Sequence, residues 1–533
     1  MKIQISKSLL ALFSLVLLLT IISCNPAQDR AAKAIYPATY LEETTIAQLQ
    51  EGYSSGKFTI TQVVQDYLDR IEALDNSGPE LNSVIRLNPD ALQIAQELQK
   101  EWEDRKIRGP LHGIPVILKD NIDTHDKMPN TAGATVLFNS FPPADSWVAA
   151  RLKEAGAIII AKANLSEWAN FRASLSSSGW SGVGGQTRNP YVLDRNPCGS
   201  SSGSGVAVSA NLCAFAIGTE TNGSIVCPSN NNGIVGLKPT VGLISRAGII
   251  PISFTQDTPG PMCRTVEDAA VSLGVLVGID SNDVKTLASE GNYHADYTRF
   301  LKADGLNGKR IGLLRSSMGF HSRVDSLMMQ TVAWLRDQGA KVVELDFVLP
   351  KEVEDASFQV LLYEFKDGLN KYFLSLGETA PVKDLAGLIE FNKTDSIELR
   401  YFDQKLLEMA QAKGGLDSPE YLEALAKMLK GTRQDGIDRL MDEHILDALI
   451  VPTGTPAWKT DMLNGDLYLG GNSSLAAIAG YPSISLPMGF IDGLPVGISF
   501  IGKAWTEPKL FEIAFSFEQG TKVRKVPEFR MTD

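Results

Sequence analysis

Short apolar runs alternate along this chain with segments in which apolar residues recur at helical spacing. Continuous apolar runs at 116–118, 157–161 and 215–217 are typical of strands buried on both faces. Apolar residues at helical spacing over 61–74 and 147–154 predict two helices. Strands and helices are therefore expected to follow one another from the first third of the chain onward.

The rest of the chain adds further elements to this alternation. Further strands are predicted at 310–314, 341–347, 448–451, 483–488 and 496–501, and further helices at about 89–105, 265–276, 324–338, 474–479 and 507–518. Such a pattern indicates an α/β fold, in which a large mixed, largely parallel, twisted sheet carries helices on both faces.

Residues 350–445 interrupt the alternation, because they are charged and helical throughout. Their amphipathic stripes are most simply a packing face. No low-complexity linker and no internal repeat follows residue 45. We therefore expect one large domain, 45–533, with a helical insertion at about 350–445.

The N-terminus has the form of a bacterial export signal. Lys2 and Lys7 precede 15 uncharged residues, fewer than the ~20 that a membrane span needs. A small residue before Cys24 resembles a bacterial lipobox, which predicts a signal peptide over 1–23, lipid on Cys24 and a polar tether over 24–44. The expected location is the bacterial cell envelope, periplasmic or at the cell surface, held by the lipid alone. An ordinary signal with a chance cysteine and a retained membrane anchor are the alternatives.

Charge and cysteine usage narrow the classes of function. The formal net charge of −12 argues against a nucleic-acid groove, which would need a basic face. The cysteines after Cys24 show no metal-ligand spacing, so neither a metal site nor a cofactor is predicted. Most of them are expected to be buried free thiols; a disulfide between Cys198 and Cys227 is the less favoured alternative.

The strongest chemical signal is a group of two serines and one lysine. Ser200 and Ser224 lie 24 residues apart in stretches rich in glycine and hydroxyl residues, and Lys119 ends the apolar run at 114–118. A serine needs a base to act as a nucleophile, and a buried lysine loses its charge near neutral pH, so it could serve as that base. A flexible Gly/Ser linker and an exposed lysine are the competing interpretations, but the apolar flanks argue against a linker.

These segments resemble the amidase signature family. The similarity extends from about residue 45 to 520 and is carried by 198–205, 217–228, 236–243, 256–261 and 480–487. The chain departs from the family pattern at Cys198, Ser202, Glu220, Asn222 and Val226, and both serine positions are kept. Segments 164–171, 185–190 and 197–203 are similar to bacterial peptide amidases, which remove the C-terminal amide of peptides.

The resemblance implies the roles of the residues. Ser224 is expected to attack the amide carbonyl, and Ser200 to relay its proton to neutral Lys119. Backbone N–H groups of Thr221, Asn222, Gly223 and Ser224 would form the oxyanion hole. The family pattern also implies a cis peptide bond between Gly199 and Ser200, and a substrate pocket walled in part by 350–445.

Several functions remain open at this stage. The expected partner is a small-molecule or peptide amide, with peptide, aliphatic and aryl amides all possible substrates. A lipid-anchored protein of this length could instead be a solute-binding component of a peptide importer. Such a protein needs two lobes and a cleft, but no group of two serines and a lysine. An amidotransferase component that supplies ammonia is a third, which the export signal argues against.

Overall fold

The computed structural model describes residues 36–532. The chain divides into Met1–Pro37 and one compact unit, Ala38–Asp533. The predicted signal peptide and Cys24 lie outside the described residues. Among the helices of residues 36–532, none combines the length and the apolar character that crossing a membrane requires.

The centre of the unit is an 11-stranded sheet. Its strands are β1 Val84–Leu87, β2 Pro115–Lys119, β3 Ile158–Ala163, β6 Phe215–Glu220, β7 Val235–Lys238, β8 Thr258–Cys263, β9 Arg310–Leu314, β10 Lys341–Leu345, β11 Ala448–Pro452, β12 Ser483–Ile491 and β13 Leu494–Ile501. They lie side by side in the order β1-β3-β2-β6-β8-β7-β12-β13-β11-β9-β10. The strands β4 Trp180–Ser181 and β5 Gly185–Gln186 form a separate antiparallel pair.

The sheet is mixed, as predicted, but the expectation that it is largely parallel is wrong. Six of its ten strand pairings are antiparallel. The apolar runs predicted the strands but not their directions. A strand that is buried on both faces has a continuous apolar sequence whether its neighbours run parallel or antiparallel to it. Parallel pairing is confined to two groups, β3-β2-β6 and β10-β9-β11.

Fifteen α-helices in residues 36–532 accompany the sheet. They are α1 Ile46–Ser55, α2 Ile60–Ile71, α3 Ala91–Glu103, α4 Trp147–Glu154, α5 Ser202–Ser209, α6 Val226–Asn231, α7 Val266–Leu276, α8 Ser322–Asp337, α9 Lys351–Ser375, α10 Leu385–Thr394, α11 Lys405–Gln411, α12 Pro419–Thr432, α13 Asp438–Glu443, α14 Ser474–Ala479 and α15 Glu507–Thr521. The helices predicted at 147–154 and 474–479 are confirmed to the residue.

Local chemistry explains where several helices begin. The side chain of Ser146 accepts a hydrogen bond from the N–H of Ala149 at the start of α4, and Thr265 does the same for Asp268 at the start of α7. These caps satisfy donors that the first turn of a helix leaves free. A Gly at position 480 in the left-handed conformation ends α14.

The predicted insertion is helical and packs against the segment that precedes the glycine-rich stretch. Phe365 and Phe373 of α9 share a buried cluster with Trp168 and Phe171. The apolar stripes of the insertion are therefore a packing face, as its pattern predicted.

A buried ion pair also ties this insertion to the core of the unit. The Arg172 guanidinium lies 2.7 Å from the Glu167 carboxylate and 3.4 Å from that of Glu398, and all three side chains are almost completely buried. Burial and the neighbouring Glu398 carboxylate raise the pKa of Glu167 well above its ordinary value. Glu398 belongs to the insertion, so Arg172 joins the two parts through opposite charges.

Residues 39–44, which the sequence assigns to the tether, already belong to this fold. Leu41 is completely buried, and the Glu43 carboxylate pairs with Arg524 at 2.7 Å. Glu43 also accepts a hydrogen bond from the side chain of Asn211. The packed part of the chain thus begins a few residues before 45.

Candidate active site

The site lies where the parallel strands β2 and β6 end side by side. Lys119 is the last residue of β2 and Glu220 the last residue of β6. Because the carboxyl ends of parallel neighbours lie at the same edge of a sheet, side chains from these two strand ends meet. The strand pattern around 116–118 and 215–217 therefore determines where the lysine is placed.

The side-chain nitrogen of Lys119 is enclosed by hydroxyl and carbonyl oxygens. Its Nζ lies 2.8 Å from Ser200 Oγ, 2.9 Å from Thr219 Oγ1 and 3.1 Å from the Thr219 carbonyl oxygen. The side chain is 0% exposed. Burial lowers the pKa of Lys119 to about 7, against the opposing pull of the Asp257 and Glu220 carboxylates. An appreciable fraction of Lys119 is therefore an uncharged amine at neutral pH.

Ser200 lies just before α5, in a backbone segment that is fixed on both sides. The peptide bond between Gly199 and Ser200 is cis, as the resemblance implied. The next residue, Ser201, donates its hydroxyl to the Thr219 carbonyl oxygen at 3.0 Å and accepts from the Thr219 N–H at 3.2 Å. This pair of bonds attaches the glycine-rich stretch to β6 beside the lysine.

Ser224 lies in a tight turn between β6 and α6. The buried Glu220 carboxylate accepts hydrogen bonds from the N–H groups of Ile225 and Val226, at 2.7 and 3.0 Å. This folds the chain back directly after the strand. The family pattern has aspartate at this position, and its side chain is one methylene shorter. The longer side chain of Glu220 reaches both N–H groups across the turn.

The same turn presents free backbone donors. Within residues 36–532, no protein oxygen accepts a hydrogen bond from the N–H groups of Asn222, Gly223 or Ser224. Gly223 has φ of +85°, and a Cβ there would lie 2.9 Å from Ser473 Oγ. The turn therefore needs glycine at 223, and its donors are available to an oxygen outside the protein.

The predicted trio is thus only partly joined by direct contacts. Lys119 and Ser200 are hydrogen-bonded, whereas no hydrogen bond links the hydroxyls of Ser200 and Ser224 in the described part of the chain. Their segments meet through the backbone, where the Ser201 N–H donates to the Ser224 carbonyl oxygen at 3.2 Å. Ser224 is 8% exposed.

Two neighbours hold Thr221, the first residue of the turn. Its hydroxyl donates to Asp257 Oδ1 at 2.5 Å, and its carbonyl oxygen accepts from Gln256 Nε2 at 3.2 Å. Asp257 Oδ2 accepts the N–H groups of Ile252 and Ser253 in addition. Burial raises the pKa of Asp257 to about 6, although these hydrogen bonds oppose the rise.

Four participants in this site were missed at the level of sequence. Thr219, Asn121, Glu220 and Asp257 were not predicted to act in it, although Glu220 was noted as a departure and Asp257 lies in a recognised motif. Asn121 donates to Thr219 Oγ1 at 3.0 Å and so helps to orient the hydroxyl that contacts the lysine. Its place two residues after Lys119 was the only available signal.

The cysteines correct one prediction. Cys198 and Cys227 form a disulfide with their Cα atoms 6.0 Å apart, so the less favoured alternative is confirmed and the expectation of free thiols is wrong for this pair. Their sequence spacing gave no indication, because the pair forms only when the two serine-bearing segments come together. Cys213 and Cys263 are buried free thiols, as expected.

A cavity of about 190 Å³ opens beside the lysine's partners. One wall carries Thr219, Thr221 and Asn121, and apolar side chains of Ile250, Ile252 and Phe254 contribute to the rest. Ser224 is not among its lining residues, but Thr221 leads into the turn that carries this serine. The cavity therefore adjoins the turn and has a mainly apolar interior.

Comparisons with known proteins agree with this geometry. The Amidase family model matches residues 62–511. The crystal structure of native peptide amidase from Stenotrophomonas maltophilia is 49% identical, with a TM-score of 0.87, over 91% of this chain and 99% of that one. The crystal structure of an amidase family protein from Bacillus anthracis is 36% identical, with a TM-score of 0.83, over 92% of this chain and 93% of that one. A relative from Arabidopsis thaliana described as "Probable amidase" is 42% identical over 92% of both chains.

Proposed function

The chain belongs to the amidase signature family and is an amide-hydrolysing enzyme, and from this premise we propose that it removes the C-terminal amide of peptides and releases ammonia. The single observation that carries the chemistry is the contact of 2.8 Å between Lys119 Nζ and Ser200 Oγ, at a lysine whose pKa burial lowers to about 7. The similarity to a peptide amidase supports the choice of substrate.

The hydrogen bonds around Lys119 match an uncharged amine. A neutral amine has two N–H donors and one lone pair. Its donors suit the two oxygens of Thr219, which lie at 2.9 and 3.1 Å, and the lone pair then faces the Ser200 hydroxyl. In this form the lysine accepts the serine proton instead of donating one.

The proposed reaction begins with the attack of Ser224 Oγ on the carbonyl carbon. Its proton passes to Ser200 Oγ while the Ser200 proton passes to Lys119 Nζ, which becomes an ammonium. The relay then reverses and protonates the leaving nitrogen, because an amide anion does not depart unprotonated. Ammonia leaves, and an ester remains on Ser224.

Water completes the cycle by the same relay. It attacks the ester carbon and gives its proton to Ser200 and Lys119, and the proton returns to Ser224 Oγ as the carboxylic acid leaves. In both steps the negative carbonyl oxygen would accept from the free N–H groups of Asn222, Gly223 and Ser224. Loss of one such donor costs about 3–4 kcal/mol of transition-state stabilisation in a comparable site.

The second link of the relay requires Ser200 Oγ and Ser224 Oγ to come within hydrogen-bond distance. Catalytic hydrogen bonds often tighten only when substrate binds. Substrate anchored by the donors of the turn would bring its carbonyl carbon against Ser224. The apolar cavity beside Thr221 supports binding of an apolar side chain of the acyl part.

Export and lipid attachment at Cys24 form a second part of the proposal. The disulfide between Cys198 and Cys227 supports an oxidising location, because disulfides rarely persist in a reducing cytosol. The test is metabolic labelling with radioactive palmitate in a bacterial host. We expect label in the membrane fraction, and its persistence in Cys24→Ser would overturn lipidation at this residue.

A substrate panel tests the activity. Purified enzyme is given a dipeptide amide, a short acyl amide and an anilide at equal concentration, and ammonia or aniline is measured. We expect ammonia mainly from the dipeptide amide, and none from Ser224→Ala. Ser272→Ala removes a buried hydroxyl in α7 that does not line the cavity, and it should retain full turnover. Peptide amides that remain intact while another amide is cleaved would refute the proposed substrate class.

A further inference from the structure

The disulfide between Cys198 and Cys227 joins the two segments that carry the serines. Cys198 precedes Ser200 by two residues, and Cys227 follows Ser224 by three. The bond therefore joins the segment of the relay serine to the segment of the nucleophile. Cys198 is buried, whereas Cys227 is half-buried.

Hydrogen bonds also connect the two segments. Near the serines the Ser201 N–H donates to the Ser224 carbonyl oxygen, and the Ser201 hydroxyl is hydrogen-bonded to the backbone N–H and carbonyl oxygen of Thr219 in β6. Asn232 Nδ2 donates to the Pro197 carbonyl oxygen at 2.9 Å, at the far end of α6. The fold of both segments is thus supported without the disulfide, which adds a covalent link close to both serines.

Each cysteine is held firmly on its own side. The Cys198 N–H donates to Asn196 Oδ1 at 2.8 Å, and its carbonyl oxygen accepts from Ser202 Oγ at 2.6 Å. The Cys227 N–H donates to the Gly223 carbonyl oxygen at 2.8 Å, within the turn that presents the free N–H groups. The covalent bond therefore links the segment of the Gly199–Ser200 peptide to the turn that presents the free N–H groups.

We propose that this disulfide positions Ser200 against Ser224, and that amide cleavage requires it while the fold does not. The inference rests on the proposed function. Proton transfer between the hydroxyls needs a short, aligned contact, and a misplacement of about 1 Å can cost about 100-fold in rate. Reduction by a dithiol breaks the Sγ–Sγ bond, adds two electrons and two protons to give two thiols, and converts the dithiol to a cyclic disulfide.

The test compares oxidised enzyme with enzyme treated with dithiothreitol under native conditions. Thiol counting should show two new thiols, and circular dichroism an unchanged fold. We expect kcat on the dipeptide amide to fall about 100-fold with KM within about threefold, since the damage is to the geometry of the relay. Removal of dithiothreitol and reoxidation should restore kcat. The midpoint of kcat/KM against pH should stay in place, because the surroundings of Lys119 are unchanged.

Two variants separate the cross-link from other effects. Cys198 has φ of +59°, so Cys198→Gly combined with Cys227→Ala removes the bond without adding backbone strain. This double variant should match the reduced enzyme and be insensitive to dithiothreitol. Cys213→Ala removes a buried free thiol instead and should behave as the wild type.

The outcomes distinguish this inference from the proposed function. If oxidised wild type cleaves no amide of the panel, the proposed function fails. If it is active and the double variant or the reduced enzyme keeps kcat within threefold, only the positioning role is overturned. Unfolding of the reduced enzyme would also overturn it, because the bond would then support the fold as a whole.

Discussion

Replacing Lys119 with methionine should change the pH dependence of stability in a way that reports the lysine's protonation. Folding lowers the pKa of Lys119 from 10.5 to about 7, mainly through burial. Between these values the unfolded chain binds a proton that the folded chain does not, so the stability of wild type rises with pH. The free energy of unfolding should therefore rise by about 2 kcal/mol from pH 7 to pH 9 in wild type relative to Lys119→Met.

The assay is urea unfolding of both proteins at half-unit steps from pH 6 to pH 9. The difference between wild type and variant should be almost flat below pH 7 and then increase. Lys238→Met is the matched control, because burial lowers the pKa of Lys238 to about 8. Its difference from wild type should begin to rise about one unit later, and it should leave ammonia release intact.

Catalysis gives a second readout of the same group. The reaction needs the neutral amine, so kcat/KM should rise with pH, reach half its limit near pH 7 and then level off. Lys119→Met should abolish turnover. If the stability difference between wild type and Lys119→Met stays constant within about 0.5 kcal/mol from pH 6 to pH 9, the lysine keeps its ordinary pKa. Lys119 would then be charged at neutral pH and could not act as the base.

Three further substitutions test the surroundings of the site. Gly223→Ala should lower kcat, because φ of +85° and the contact with Ser473 force the turn to shift; unchanged steady-state rates would contradict this. Arg172→Met should reduce the free energy of unfolding by about 3–5 kcal/mol in urea, since the buried Glu398 carboxylate loses its counter-charge. A loss below about 1 kcal/mol would argue against an ionic link to the insertion. Phe365→Ala should cost about 3–5 kcal/mol by the same measurement through the cavity it leaves, and a neutral result would contradict its place in the core.

The sequence was most informative where one residue pattern determines one structure. The continuous apolar run at 215–217 predicted a buried strand, and the structure has β6 there with every residue buried. The end of the run at 114–118 marked Lys119 as a candidate, and the resemblance to the amidase signature family assigned it the role of base. These signals are local, so they do not depend on how distant segments come together.

Features that arise from distant contacts could not be predicted. The order of the strands, the antiparallel pairing of β6 with β8 and the contact of Thr219 with Lys119 depend on chain direction and register. The disulfide could be named only as the less favoured alternative, because choosing it required knowing that residues 29 positions apart come together. The ion pair of Arg172 with Glu398 links residues 226 positions apart, and nothing in either neighbourhood marks it as buried.

The residue that carries the acyl group during turnover shows directly whether Ser224 is the nucleophile. Enzyme mixed with a dipeptide amide is quenched in acid within milliseconds, reduced and digested with chymotrypsin, and the fragments are sequenced by mass spectrometry. Cleavage after Phe215 separates Ser200 from Ser224. We expect an acyl mass on Ser224 that is absent from Ser224→Ala and from Lys119→Met. An acyl group on Ser200, or turnover without any acylated serine, would contradict it.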